Sequence, residues 1–404
     1  MITVEEAAAL IVKQTPVIKR TETIPLADAP GRILARDIQA PIDQPPFDRS
    51  PVDGYACRSA ALSKATKEHP VRLKVVAEID AGEYSERLIG HTEAVRIMTG
   101  APVPDGCDCC VRQEDTDYGE EYVQIFRSYS HHENVCFRGE DYKKDTKLLT
   151  AGTRIGGIET GLLAGMGFST VEVYDRPKLI LITTGDEVTE PGEPLKPGKI
   201  YDANQYLLAG RLREFGLAAD GRRAVPDDSG VLAQALCKAS EEADLVLTTG
   251  GVSVGKKDFL HEALNRANAD KIFWRVLLKP GTPIIFSVLN KTPVISLSGN
   301  PFGALANFEL LIRPALKKMT GDSIWDCRRI TARMAEVFPK ASYGRRFIRA
   351  ILKGEKVYLP QGLHSSGVLS SLRGCNCMID IPAGTMKLAE GDSVSVILLR
   401  RGGI

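Results

Sequence analysis

Residues 178–187 read KLILITTGDE, and residues 244–258 read DLVLTTGGVSVGKKD. Each begins with an apolar run that closes on two threonines and then on glycine. A run that is apolar throughout, rather than alternating, is what a strand buried on both faces requires. Helix-like NQYLLAGRLREFG (204–216), strand-like AADGRRAVP (218–226) and helix-like SGVLAQALCKASEE (229–242) separate the two. Helix-like FLHEALNRAN (259–268), the strand runs PIIFSV and PVISLS, and the helical FGALANFELLIRPALKKM follow. Strands alternating with amphipathic helices over residues 177–321 predict an α/β core with a doubly wound, mostly parallel sheet.

The texture differs on both sides of this core. Thr3-Val4-Glu5-Glu6 is a capping box before the helical AAALIVKQ. Residues 40–56, APIDQPPFDRSPVDGYA, hold four prolines and little apolar periodicity, and read as loop. Short β-like runs at 71–128 (VRLKVVAEI, EAVRIM, CDCCVRQ, YVQIF) alternate with Gly and Pro and predict a β-rich insert. GGIETGLLAGMG (156–167) reads as a short Gly-rich helix, and from 328 the pattern is β-like again, ending in DSVSVILL. At roughly 100–200 residues per domain, 404 residues suggest two to four domains.

Composition limits the function classes. Apolar residues are 43% and charged residues 25%, with 52 basic against 51 acidic side chains. That balance carries no overall electrostatic footprint for nucleic acid or an anionic membrane. No apolar run approaches the ~18 residues of a membrane span, and the N-terminus has acids where a signal peptide has Lys and Arg, so a cytoplasmic protein is expected. The nine cysteines lack CxxC and zinc-ligand spacing and read as reduced thiols.

Open α/β sheets bind ligands beyond the carboxyl ends of their strands. Gly185-Asp186-Glu187, Asp227-Asp228, the loop GGVSVGKKD (250–258) and Gly299-Asn300-Pro301 all follow predicted strands and are expected to meet at one edge. Glycines after a buried strand let backbone amides approach an anion. The loop begins like GxxxxGK, but Lys257 stands where a P-loop needs Ser or Thr for Mg²⁺, which disfavours a Walker-type ATPase. Asp186, Glu187, Asp227, Asp228 and Asp258 are too many acids for a bare phosphate site, and point to Mg²⁺ bridging carboxylates and phosphates. Any one of them also reads as a helix N-cap, notably Asp258. Lys279-Pro280-Gly281 adds a cation, and SPVDGYA (50–56), MTGAPVP (98–104) and Arg138-Gly139-Glu140-Asp141 are particular enough for functional loops as well as turns.

The combination SPVDGYA, MTGAPVPDG, GED, TTGDEVTEPG, TTGGVSVGKKD, KPG and LSGNP, in this order, resembles the molybdopterin molybdenumtransferase family, which includes bacterial MoeA and the E domain of gephyrin. The resemblance covers essentially the whole chain. With the core read above, it implies a multidomain α+β chain. Residues 1–40 and 145–176 form a helical and extended connecting domain, and 41–144 a β-rich insert. Residues 177–326 form the α/β molybdopterin- and nucleotide-binding domain, and 327–404 a C-terminal β-domain. It also implies Mg²⁺-dependent insertion of molybdenum from molybdate into adenylyl-molybdopterin, releasing AMP and molybdenum cofactor. A tungstate-preferring paralogue and a non-catalytic molybdopterin-binding scaffold are the alternatives.

Carried over residue by residue, Asp53, Asp141, Glu187, Asp258 and Lys279 would be catalytic. Thr99, Asp186, Asp228, Gly250, Gly251, Ser253, Gly255, Arg275, Ser298 and Pro301 would bind the substrates, and Glu187, Asp228 and Asp258 the metal. The family implies a homodimer with shared sites, in which Asp53, Thr99 and Asp141 face the partner subunit. Further partners would be a molybdopterin adenylyltransferase and molybdoenzyme apoproteins, with no nucleic acid and no membrane. The chain departs from the common pattern at Val52, Ala203, Arg275, Thr282 and Ser298. At Arg275 it keeps a cation where other members carry lysine, in a planar geometry suited to an oxyanion.

Overall fold

The computed structural model describes residues 1–252, 259–362 and 365–399. It divides into two compact units, one of residues 1–22, 31–33 and 172–404, the other of residues 23–30 and 34–171.

The first unit contains the α/β core. Its elements are β1 (Leu179–Thr184), α1 (Ala203–Glu214), β2 (Gly221–Val225), α2 (Ser229–Glu242), β3 (Leu245–Thr249), α3 (Phe259–Arg266), β4 (Asp270–Trp274), β5 (Ile284–Leu289) and β6 (Thr292–Leu297). The sheet order is β2-β1-β3-β6-β5-β4. The first four pair in parallel, and β5 runs antiparallel to both β6 and β4. The expected mostly parallel sheet is present, with helices on both faces. Every residue of β1, β3 and β6 is buried, as their unbroken apolar runs required. One strand, β4, escaped the sequence reading. DKIFW holds only three apolar residues, and Asp270, Lys271 and Trp274 are exposed on an edge strand.

The helical stretch 301–320 is not uniform. Pro301–Asn307 and Arg313–Thr320 are α-helical, and Phe308–Ile312 between them forms a π turn. Pro314 has no N–H to donate back into the helix, and the wider turn precedes it. That turn carries Glu309, fully buried between two arginines. Glu309 Oε1 accepts from Arg211 Nη2 at 2.6 Å, and Oε2 from Arg313 Nη1 at 2.7 Å. Arg211 also donates to Leu399 O at 2.7 Å, and Arg313 to Trp325 O at 3.2 Å. The predicted capping box is present at the N-terminal helix Val4–Gln14, where Glu6 N–H donates to Thr3 Oγ1 at 3.1 Å.

The chain then closes a barrel of β7 (Arg329–Met334), β8 (Arg346–Lys353), β9 (Lys356–Tyr358), β10 (Cys377–Ile381) and β11 (Ser393–Leu398). It is tied to the core through Lys279. Lys279 N–H donates to Arg345 O at 3.0 Å, and Phe347 N–H to Lys279 O at 2.7 Å.

The second unit holds a five-stranded sheet ordered Cys109–Arg112, Gly54–Cys57, Glu93–Ile97, Val71–Ile79, Tyr122–Ile125, and the short helix Gly157–Gly165. Residues 54–56 read as loop from sequence, yet Gly54–Cys57 is an inner strand with every residue buried. Four residues buried on both faces show no periodicity to read. Gly54 is required there because a Cβ would lie 1.9 Å from Val111 O. All nine cysteines are free. No described helix is long and apolar enough to cross a membrane.

Candidate functional site

Because β1, β2, β3 and β6 run the same way, the loops after them leave the sheet at one edge. β4 also points there, which brings Arg275 to that edge. Asp186 Oδ1 accepts from Asp227 N–H at 3.2 Å, so the loops after β1 and β2 touch. Gly250 is the narrowest point. Its φ is +89°, and a Cβ would come 2.1 Å from Thr184 O, so only glycine lets the β3 loop pass over the end of β1.

The loops after β1, β3 and β6 border a cavity of about 300 Å³, whose lining includes neither Asp186 nor Asp228. Among the expected site residues, Glu187, Gly250 and Pro301 line it, with Thr184, Tyr201, Asp202, Asn204, Asn300 and Gly367. Gly251 follows Gly250 at φ +68°. Ser298 is buried, and its Oγ accepts from Asn300 N–H at 3.3 Å. Arg275 Cζ lies 4.0 Å from the Trp274 ring centroid, and its Nε is buried without a partner among the described residues. Ser253, Gly255 and Asp258 lie outside the described residues.

Asp228 has a structural task of its own. Its Oδ1 accepts from Gly230 N–H and Val231 N–H, both at 2.8 Å, capping α2. Those two amides hold its carboxyl below the usual carboxylate range. The stability this cap contributes is therefore fully present above the ordinary carboxylate pKa and is lost as pH falls through the lowered value. Two variants separate the cap from a metal role. Asp228→Asn keeps a capping oxygen, so its melting temperature should stay near the parent's, while activity falls about tenfold or more if Oδ2 serves the metal. Asp228→Ala should lower both. Full activity in the amide variant would leave Asp228 as a cap alone.

A second cavity, also about 300 Å³, lies between the core and the barrel within the first unit. Lys279 lines it with Lys340, Arg346, Arg349, Ser366 and the ring of Phe302. Four of its lining residues are cationic and none is acidic. Arg349 is 1% exposed, yet it faces no carboxylate among the described residues. It donates from Nη1 to Val368 O at 2.9 Å and from Nη2 to Ser365 O at 2.5 Å, and lies 4.5 Å from the Phe302 ring centroid. Burial depresses its pKa below the ordinary guanidinium value. Cations gathered in a concave, partly apolar space without counter-charges suit an anion. The two cavities adjoin in sequence at Pro301-Phe302 and at Ser366-Gly367, and Phe302 N–H donates to Ser366 O at 3.2 Å.

In the second unit, Asp53 and Thr99 meet. Asp53 Oδ1 accepts from Thr99 N–H at 2.7 Å and from Thr99 Oγ1 at 2.8 Å, bonds that hold the carboxyl below its usual range. Asp141 is exposed and anchored by its own N–H, which donates to Gln44 O at 2.9 Å.

Sequence reasoning passed over Asp202, Asn204, Arg346, Arg349 and Ser366. The signal for the first pair was Asp-x-Asn directly before a helix. For Arg349 it was a charged residue inside the otherwise apolar FIRAIL of a strand.

Comparison with known proteins agrees along the chain. Residues 2–167 match the model of the MoeA N-terminal region (domain I and II), 180–318 that of a probable molybdopterin binding domain, and 331–399 that of the MoeA C-terminal region (domain IV). The chain is 35% identical to a molybdopterin molybdenumtransferase of Bacillus subtilis, covering 94% of this chain and 90% of that one. It is 36% identical to one of Staphylococcus epidermidis, covering 98% and 95%. A crystal structure of a molybdopterin biosynthesis MoeA protein from Pyrococcus horikoshii superposes with a TM-score of 0.87 at 31% identity, covering all of both chains. With that sequence likeness over nearly its full length and that fold, the chain belongs to the MoeA family and is an enzyme of the molybdopterin molybdenumtransferase class.

Proposed function

We propose that the protein inserts molybdenum from molybdate into adenylyl-molybdopterin and releases AMP and molybdenum cofactor. The observation that carries this reading is the pair of adjoining cavities. One is built from glycine-rich loops at the carboxyl edge of a parallel sheet, the other from four cations and no acid. The first suits the nucleotide and pterin ends of one substrate, the second a doubly charged oxyanion.

Lys279, Lys340, Arg346 and Arg349 bind and orient molybdate, and Ser366 donates a hydrogen bond to it. The rings of Phe302, Phe338 and Phe347 thin the water around these cations and so strengthen their pull. The amides after Gly250 hold phosphate oxygens, as charge develops on them when the phosphoanhydride breaks. Glu187, and the Asp228 oxygen left free by its cap, offer the hard oxygen donors that Mg²⁺ takes beside substrate phosphates. With Asp258 they would hold that ion, which supplies charge neutralisation at the phosphates. Arg275 stands at the same edge as a further cation for the oxyanion.

The protein would act in the cytoplasm as a homodimer whose sites draw on both chains. Asp53, Thr99 and Asp141 of the insert would serve the partner's nucleotide loop. A molybdopterin adenylyltransferase would deliver the substrate, and molybdoenzyme apoproteins would receive the product. The domain division 1–40 with 145–176, 41–144, 177–326 and 327–404 belongs to the same proposal.

The decisive experiment mixes purified protein with adenylyl-molybdopterin, Mg²⁺ and molybdate, and follows AMP. Release that requires molybdate is expected. Binding without turnover would favour a scaffold, and a stronger response to tungstate the other oxyanion. The shared site has its own test. Asp53→Asn and Asp258→Asn homodimers should each lose most of their activity. Co-expression yields about half mixed dimers, each with one doubly damaged and one intact site, so activity should return to roughly a quarter of the parent's. Confirmed mixed dimers as inactive as either variant would mean that both aspartates serve one subunit's site.

A further inference from the structure

Two residues that line the sheet-edge cavity each carry a buried oxygen without a partner among the described residues. Asp202 is 4% exposed and caps α1 with one oxygen, Oδ1, which accepts from Gln205 N–H at 2.9 Å. Its Oδ2 is buried and accepts from no described residue. Two residues on, Asn204 Nδ2 donates to Gly299 O at 2.7 Å. Because a carbonyl can only accept, that bond fixes the amide orientation and leaves Asn204 Oδ1 as the second buried acceptor without a donor. Both residues line the cavity. Buried acceptors are almost always satisfied in a native fold, and exceptions gather where a ligand supplies the missing donors.

We propose that Asp202 and Asn204 are specificity-determining residues that read the donor edge of the pterin. This rests on the reading of the cavity given above as a pterin and nucleotide site. The pyrimidinone ring of a pterin carries an exocyclic 2-amino group beside the N3–H, two donors side by side. Two acceptors on residues two positions apart, both lining one cavity, offer that edge the complementary chemistry. Adenine, the other heterocycle of the substrate, offers one donor, N6–H, beside an acceptor, N1. An acceptor facing N1 repels it, so the pair assigns the pterin, rather than the adenine, to this end of the cavity. Val188, Ile200 and Tyr201 give the same cavity an apolar wall against which a flat ring can lie. The Tyr201 hydroxyl donates to Glu193 O at 3.1 Å, which fixes its ring.

The test uses the full chain and three probes, 6-hydroxymethylpterin, 6-hydroxymethyllumazine and AMP, with binding followed by calorimetry. Lumazine replaces the 2-amino donor by an oxygen. The unaltered protein should bind the pterin about tenfold or more tightly than the lumazine, since the lumazine leaves one buried acceptor unpaired and sets an oxygen against it. Asp202→Asn retains the capping oxygen and turns a donor amide into the cavity. It should weaken the pterin about tenfold, raise the relative affinity for lumazine and leave AMP unchanged. Equal affinity for the two pteridines, no binding of either, or an Asp202→Asn effect on AMP as large as on the pterin would each overturn the assignment. So would an effect of the variant confined to Mg²⁺ titrated alone. The comparison of probes on the unaltered protein needs no variant to fold. Molybdate-dependent AMP release, measured on the same preparation, separates the two ideas. Turnover without pteridine discrimination overturns the recognition alone, and discrimination without turnover overturns the reaction alone.

Discussion

Replacing Arg349 by methionine should lower kcat/KM for molybdate by about 10²–10³-fold, or ~2.7–4 kcal/mol of transition-state stabilisation. Two effects act together. The cavity loses a cation that is 1% exposed and faces no described carboxylate. The loop carrying Ser366 and Gly367 also loses the fork that gathers Ser365 O and Val368 O. The fold should survive. Removing a buried charge that no opposite charge neutralises is often neutral or stabilising, and methionine fills a similar volume. Orphaning two carbonyls opposes that gain by about 1–3 kcal/mol each at most. Arg349→Lys should not restore activity, because an ammonium cannot present two donors in a fixed plane. The measurement is initial rate against molybdate concentration, with circular dichroism as control. A methionine variant with the parent's molybdate dependence would remove Arg349 from the oxyanion site.

Glu309→Ala should destabilise the protein by about 3–5 kcal/mol, a large share of the ~5–15 kcal/mol that holds a typical domain folded. The carboxylate is fully buried and divides its two oxygens between Arg211 and Arg313, which are 6% and 4% exposed. Without it Arg313 remains in the interior with no opposite charge, and Arg211 keeps only Glu214, on the exposed side of the network. Apart from Glu214, their other partners are carbonyls such as those of Leu399, Ile324 and Trp325, which neutralise nothing. The desolvation penalty therefore outweighs the loss of the hydrogen bonds themselves. Glu309→Gln keeps the shape and one set of bonds and should fall between. The combination Arg211→Met, Glu309→Leu and Arg313→Met, which removes the buried charges at once and leaves Glu214 to solvent, should recover most of the loss. Urea denaturation of the four proteins reads the difference. A single alanine variant as stable as the parent would show that this network carries no stability.

Much of the α/β core was legible because burial leaves a mark on composition. Strands covered on both faces favour apolar residues and admit no charged ones here, so β1, β3 and β6 stand out as mostly apolar runs with only Thr and Ser as polar members. The glycines and acids that follow them were legible for a related reason. Chain direction in a parallel sheet fixes the edge at which those loops emerge, so order along the chain becomes proximity in space. Elements failed to show where that mark is too short or is diluted. Gly54–Cys57 is four residues long, and β4 is half exposed.

The sequence by itself determined the fold class of the core, the edge that carries the glycine loops, and the family. Each rests on local chemistry, the periodicity of burial or an ordered set of short motifs, which reads the same whatever the rest of the chain does. Tertiary structure alone decided which residues line the two cavities. Lys279 and Arg346 are 67 positions apart in the numbering, and nothing local to either predicts the backbone bonds that join the turn after β4 to a barrel strand. That pairing gathers Lys340, Arg346, Arg349 and Ser366 around Lys279. The placement of Asp202, Asn204 and Asp228 is tertiary in the same way. A carboxylate or amide has two polar atoms, and only the packed structure shows which one caps a helix or holds a carbonyl.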